Sequence, residues 1–173
     1  MKYIIPMIIL SLVLLSCSKE EEESTTTDPF SCIGSSSGSG PTIGDVTLEE
    51  ATYKSGTNSF AFVNSSSAHI VLSGGTPLCY TIDATSTAAS VLKTNSANTG
   101  NATIGGVSVS SYDNVTAYYM NVKQGTWTST PTTYHMYIYA DTDSTFYINY
   151  WGFSTKAQAD AYFYMKDSAY TKQ

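Results

Sequence analysis

The clearest structural signal in this 173-residue chain is Tyr134-His135-Met136-Tyr137-Ile138-Tyr139-Ala140, followed after a polar turn by Thr145-Phe146-Tyr147-Ile148-Asn149-Tyr150-Trp151. The side chains of both segments alternate with a period of two, which predicts two β-strands. Pairing Asp141 with Thr145 around a turn at 142–144 gathers one apolar face: Met136, Ile138, Ala140, Phe146, Ile148 and Tyr150. A register shifted by one residue would mix the two faces, so this antiparallel hairpin is favoured.

The opposite face of the hairpin, here termed the aromatic face, carries His135, Tyr137, Tyr139, Tyr147, Asn149 and Trp151. Aromatic rings edged with hydrogen-bonding groups suit stacking on a sugar or contact with another protein. A core would use aliphatic residues at lower cost, because each buried hydroxyl or imidazole needs a hydrogen-bond partner. We therefore expect this face to be at least partly open and to bind a glycan or a protein. The alternative is that a C-terminal helix or another sheet covers it.

The same period of two continues through most of residues 42–151 and predicts about eight short strands, at the spacing of a β-sandwich. Residues 87–93 suggest a short helical turn, and 95–106 a long exposed loop. Ser154 or Thr155 can begin a C-terminal helix over about 155–167, with Gln158 in the capping-box position. The predicted fold class is mainly β: an antiparallel β-sandwich with a C-terminal α-helix.

The N-terminus has the pattern of an export signal. Lys2 precedes an apolar run at residues 4–15, shorter than the roughly 20 residues that a membrane-spanning helix needs. Leu14-Leu15-Ser16-Cys17 then resembles the lipobox of bacterial lipoproteins, which implies cleavage after residue 16 and lipidation of Cys17. Several acyl chains would hold the protein at a membrane.

The next residues, Ser18-Lys19-Glu20-Glu21-Glu22-Glu23, look like the signal that carries lipoproteins to the cell surface in some two-membrane bacteria. We expect an outer-membrane, surface-exposed protein; the alternative is a solvated acidic tether on a periplasm-facing anchor. The expected organisation is a signal peptide at 1–16, a lipidated N-terminus and flexible tether at 17–41, and a single β-rich domain at 42–173. The tether is rich in Ser, Thr, Glu and Gly and buries too little apolar surface to order itself.

Gly125-Thr126-Trp127 resembles the Gly-x-Trp signature of the lipocalins, and a signal, β-strands and a C-terminal helix fit that family too. The resemblance implies a lipocalin-like β-barrel as the alternative fold. In lipocalins the motif opens the first strand, whereas here it precedes the last predicted strands.

The chain has three cysteines, Cys17, Cys32 and Cys79. Once Cys17 is lipidated, Cys32 and Cys79 remain, and in an exported protein such a pair indicates a disulfide. It would close a loop of roughly 48 residues and contribute about 4 kcal/mol. Two free or buried thiols are the alternative.

Composition and motifs narrow the function. The chain has eight lysines, no arginine and a net charge of −6, so it lacks the basic patch that a nucleic acid requires. Nucleophile elbow, phosphate-loop and metalloprotease motifs are absent, and His69 and His135 lack the spacing of metal ligands, so we expect neither an enzyme nor a metal or cofactor. Two functions stay open: an adhesin-like or glycan-binding module, or a structural or accessory subunit of an outer-membrane assembly.

Overall fold

The computed structural model describes residues 32, 35–95, 101–104, 107–125, 130–165 and 168–173. The predicted signal peptide, Cys17, most of the tether and Thr126-Trp127 lie outside them. The strands are β1 (Ser39–Ile43), β2 (Val46–Glu49), β3 (Thr52–Ser55), β4 (Asn58–Asn64), β5 (Ser67–Val71), β6 (Leu78–Thr94), β7 (Asn101–Ile104), β8 (Val107–Ser110), β9 (Tyr112–Gln124), β10 (Thr133–Thr142), β11 (Thr145–Ile148), β12 (Tyr164–Met165) and β13 (Tyr170–Lys172). One short helix, α1 (Lys156–Asp160), lies between β11 and β12.

Eight strands pair side by side in chain order, β3-β4-β5-β6-β9-β10-β11-β13, and β13 returns to pair with β3. All eight of these pairings are antiparallel. The pairing of β13 with β3 closes the sheet into a ring, which forms the wall of a barrel. The mainly β class, the antiparallel pairing and the C-terminal helix are therefore confirmed. The closed ring corresponds to the barrel form of the prediction.

Apolar side chains from every strand of the ring fill its interior. Phe60 lies among aromatic rings, with its centroid 5.6 Å from Phe146, 5.6 Å from Trp151 and 5.2 Å from Tyr170. Edge-to-face contacts of this kind add stability beyond the area that they bury. The interior is consequently a packed core.

The β1–β2 hairpin covers one end of the barrel and buries Pro41, Ile43 and Leu48. The hydroxyl of Tyr53 accepts a hydrogen bond from the Glu49 amide (2.8 Å) and donates to the carbonyl of Asp143 (2.5 Å). Because β1 begins at Ser39, ordered structure starts before the predicted boundary at residue 42.

The predicted hairpin is β10–β11. Its register matches the prediction at Ile138–Ile148, Tyr139–Tyr147 and Ala140–Phe146. A bulge after Ala140 then pairs Thr142 with Thr145, so the turn is one residue shorter than expected.

Two predicted elements are corrected by long-range pairing. Residues 87–93 are not a helical turn but part of β6, which pairs with β9 as far as Thr94–Tyr112. Within the predicted loop at 95–106, residues 101–104 form β7, which pairs with β8. Local propensity is a weak constraint, and burial of Val91 and Ala117 on this long arm favours the strand.

The C-terminal helix is shorter than predicted, although its start is correct. Thr155 is the N-cap, its Oγ1 accepts from the Gln158 amide (3.3 Å), and Gln158 Oε1 accepts from the Ser154 amide (3.0 Å). The helix ends at Asp160, and β12, four residues further on, pairs in parallel with β6.

Cys32 and Cys79 form the predicted disulfide, with their Cα atoms 5.1 Å apart. Cys79 lies on β6 between Leu78 and Tyr80, both of which pack on the interior core. Since side chains alternate along a strand, the disulfide lies on the outer face of the barrel.

The turn between β1 and β2 generates a stability prediction. Gly44 has φ +62°, and a Cβ there would lie 2.4 Å from Cε2 of Tyr118, whereas Gly56 has φ +60° and an open surrounding. Gly56→Ala should lower the free energy of unfolding by about 1–2 kcal/mol through backbone strain alone. Gly44→Ala should lower the free energy of unfolding by ~1–3 kcal/mol more than Gly56→Ala does, because its Cβ also overlaps the Tyr118 ring.

Urea denaturation of the two variants measures the difference. Equal losses would show that the hairpin does not lie against Tyr118.

Candidate functional site

Most of the predicted aromatic face is covered. Tyr137, Tyr147 and Asn149 are buried. The two tyrosines belong to a second apolar cluster outside the barrel, the outer cluster: Val91, Ala117, Tyr119, Tyr137, Tyr147, Ala159 and Met165. The expectation of an open face is therefore wrong for these three residues, because α1 and β12 supply the Ala159 and Met165 that pack against it.

Both polar atoms of the Asn149 side chain are hydrogen-bonded within the protein. Its Oδ1 accepts from the backbone amides of Tyr137 (2.8 Å) and Tyr150 (2.9 Å). Its Nδ2 donates to the carbonyls of Tyr162 (3.1 Å) and Ala159 (3.4 Å). One amide thus joins β10, the end of β11 and the segment after α1, and its structural use competes with the predicted role in binding.

His135 and Tyr139 are half-buried and also bonded internally. Nδ1 of His135 hydrogen-bonds the hydroxyl of Tyr119 at 2.5 Å, and burial, with the nearby Lys156 ammonium, lowers the pKa of His135. The Tyr139 hydroxyl donates to Asp141 (2.9 Å), and burial chiefly raises the pKa of Tyr139 to about 12. These two residues support the wall rather than an open site.

Trp151 departs from the aromatic face because β11 ends before it and the chain turns at Gly152, where φ is +112°. Its ring centroid lies 5.6 Å from Phe60 and 5.1 Å from Tyr134, against the interior core. Tyr150, predicted to face the core, is instead 54% exposed. The two residues have exchanged sides relative to the strand pattern.

This exchange opens a cleft of about 550 Å³ at the end of the barrel that contains the β3–β4 turn. Its lining combines aromatic rings with uncharged polar groups: Tyr150, Trp151, Tyr162 and Tyr170 with Ser55, Thr57, Asn58 and Ser168. No lining residue in the described part of the chain is an acid or a base. The volume falls within the range of roughly 300–1,000 Å³ that is usual for small-molecule sites.

The buried side of the cleft is fixed by Tyr170 and Asn58. The ring of Tyr170 stacks on Phe146 with centroids 4.9 Å apart. Burial raises the pKa of Tyr170, and a hydrogen bond with the Asn58 side chain opposes that rise. Asn58 Oδ1 also accepts from the Ser73 amide at 2.7 Å, so its orientation is set before any ligand binds.

Tyr150 also begins a row of neighbouring rings, termed the aromatic row: Tyr150, Phe153, Tyr162 and Tyr164. The sequence analysis missed both the row and the cleft because it assigned residues from about 155 onward to a helix. The density of aromatic residues between 150 and 164 was the available signal.

No protein-family model, curated protein or solved structure matches the chain. The described residues contain no group of three or more His, Cys, Asp or Glu side chains placed to hold a metal ion. In the same part of the chain, no helix is long and apolar enough to cross a membrane.

The bonding of Asn149 generates the second prediction. Asn149→Asp replaces the donating amide by an acceptor that faces the carbonyls of Tyr162 and Ala159, and it buries a charge. We expect a loss of about 2–4 kcal/mol in the free energy of unfolding, measured by urea denaturation.

The matched control is Asn114→Asp, at an exposed position where the side-chain oxygen accepts from Ser90 and is retained. It should change stability by less than about 0.5 kcal/mol. Equal stability of the two variants would contradict the role assigned to Asn149.

Proposed function

We propose that this protein is a lipid-anchored binding module of the outer membrane, exposed at the cell surface, which binds a neutral carbohydrate in the cleft beside Tyr150 and Trp151. The observation that carries the proposal is the composition of the cleft. Rings and hydroxyl or amide groups line it together, and none of its described lining residues is charged.

This combination matches the surface of a sugar ring. A pyranose has an apolar face of C–H groups, which packs on an aromatic ring, and an equatorial edge of hydroxyls, which needs donors and acceptors. A phosphorylated or otherwise charged ligand would favour a cationic or anionic partner, which the described lining lacks. A neutral saccharide therefore fits better.

The supporting structure favours binding at low entropic cost. Trp151 is held by Phe60, Tyr80 and Tyr134, and Tyr170 is held by Phe146 and Asn58. Side chains already fixed in place lose little rotamer freedom when a ligand binds. Tyr150 is the exposed ring that a sugar reaches first.

The proposed location rests on the lipobox-like segment that ends at Cys17. The Cys32–Cys79 disulfide supports it, because such bonds persist in exported proteins. The proposed role is binding without catalysis, since the sequence carries no catalytic motif.

The binding proposal predicts retardation of the purified mature protein in native gels that contain starch, xylan, mannan or β-glucan. At least one polysaccharide should slow the wild type, and Tyr150→Ala should weaken that interaction about three- to tenfold, the loss of one stacked ring. Tyr112→Ala, on β9 outside the cleft, is the control and should bind as the wild type does.

Failure of all four polysaccharides to retard the wild type would reject a carbohydrate ligand and favour a structural or accessory role. Equal losses in both variants would reject the cleft as the site.

The anchor proposal predicts that Cys17→Ser leaves the protein unprocessed or releases it from the membrane fraction. Cell fractionation and mass spectrometry of the N-terminal peptide measure this. Cys32→Ser should retain the acyl groups and the membrane location. A Cys17→Ser variant that still carries acyl chains would show that the anchor lies elsewhere.

A further inference from the structure

The aromatic row leads out of the cleft across the outer surface of the protein. Tyr150 and Tyr162 belong to both, since they line the cleft and contact each other with centroids 6.4 Å apart. Phe153 lies 5.0 Å from Tyr150 and 5.6 Å from Tyr162. Tyr164 extends the row a further 6.5 Å beyond Tyr162. The rings thus form a continuous series of tilted contacts that begins in the cleft, in which Tyr150 is exposed and the other three rings are half-buried.

The backbone beneath the row is fixed to the barrel. The Phe153 carbonyl accepts from the His135 amide (2.9 Å), and the Tyr162 carbonyl accepts from Asn149 Nδ2 (3.1 Å). Next to Tyr164, the Phe163 carbonyl accepts from the Leu92 amide of β6 (3.0 Å). The backbone at Phe153 and Tyr162, and next to Tyr164, is therefore held before any ligand binds, which lowers the entropic cost of binding an extended ligand.

The segment that carries the row has no net charge. Lys156 and Asp160 are the only charged residues between 150 and 164, and they form an ion pair at 2.6 Å. Asp160 also accepts a hydrogen bond from the buried Tyr137 (3.0 Å). The two charges of this segment are thus paired with each other, which favours an uncharged polymer over an acidic or basic peptide.

We propose that the ligand is a linear neutral polysaccharide, bound along its length. This inference rests on the proposed carbohydrate function. Some sugar residues occupy the cleft, and the following ones lie over Phe153, Tyr162 and Tyr164. Uncharged rings can stack on the apolar face of different sugars. The row therefore raises the affinity as the chain becomes longer, whereas the cleft determines which sugar is bound.

Isothermal titration calorimetry of the mature protein with oligosaccharides of one to six units tests this inference. The probes are the linear β-1,4-glucose, xylose and mannose series and the α-1,4-glucose series. For the series that binds, affinity should rise at least tenfold from the disaccharide to the hexasaccharide. Tyr164→Ala should abolish most of that gain and leave the disaccharide affinity unchanged.

Two further variants control for folding and chemistry. Tyr164→Phe retains the ring and should keep the gain with length, because stacking and not the hydroxyl provides it. Phe153→Ala removes a ring from another part of the row and should also reduce the hexasaccharide affinity. It therefore tests the inference independently if the change at Tyr164 disturbs β12.

The outcomes separate this inference from the proposed function. Affinity independent of chain length, or equal losses for disaccharide and hexasaccharide in both alanine variants, would overturn the polymer inference while the cleft remains a sugar site. The absence of heat with every series would reject the carbohydrate function itself, and this inference with it.

Discussion

The hydrogen bonds of the buried Asn149 amide determine how the outer part of the molecule is arranged. They extend the bonding between β10 and β11 beyond the last ladder pair, and they hold the carbonyls of Ala159 and Tyr162 against the barrel wall. A buried amide must be bonded on both its oxygen and its nitrogen, and the observed position of the C-terminal segment meets this condition. In that position it covers Tyr137 and Tyr147 and leaves Tyr150 exposed. The covered face and the open cleft therefore have a common origin.

The tyrosines of the outer cluster show why a strand face rich in tyrosine can be buried although each side chain ends in a hydroxyl. Burying a hydroxyl is costly only when it lacks a partner. The hydroxyl of Tyr137 reaches Asp160, and that of Tyr119 reaches His135. Both partners come from elements other than the strand that carries the tyrosine. Composition displays the rings but not these partners, and for that reason the sequence favours an aromatic face that is at least partly open.

Most of what the sequence predicted correctly rests on local order: the period of two, the β10–β11 register and the N-cap at Thr155. The pairing of Cys32 with Cys79 is a long-range contact, and it was predictable because only two cysteines remain once Cys17 is assigned to lipid. The cleft was missed because it lies where the alternating strand pattern no longer describes the structure. The strand pattern continues through Trp151, but the ladder ends at Ile148 and the chain reverses its sides near Gly152. The cleft is formed by this reversal together with turns that are distant in sequence, so no single stretch of residues encodes it.

The disulfide has a mechanical consequence. A pull on the chain N-terminal to Cys32 crosses the sulfur atoms directly to Cys79, so residues 33–78, which include β1 to β5, lie in a covalent loop that bears no tension. The load enters β6 near its start, and β6 is hydrogen-bonded to β9 over most of its length. A strand paired over so many residues resists extraction because many hydrogen bonds must break together. In a protein held at its N-terminus while a long molecule pulls on its surface, the covalent loop would shield the first five strands from the drag.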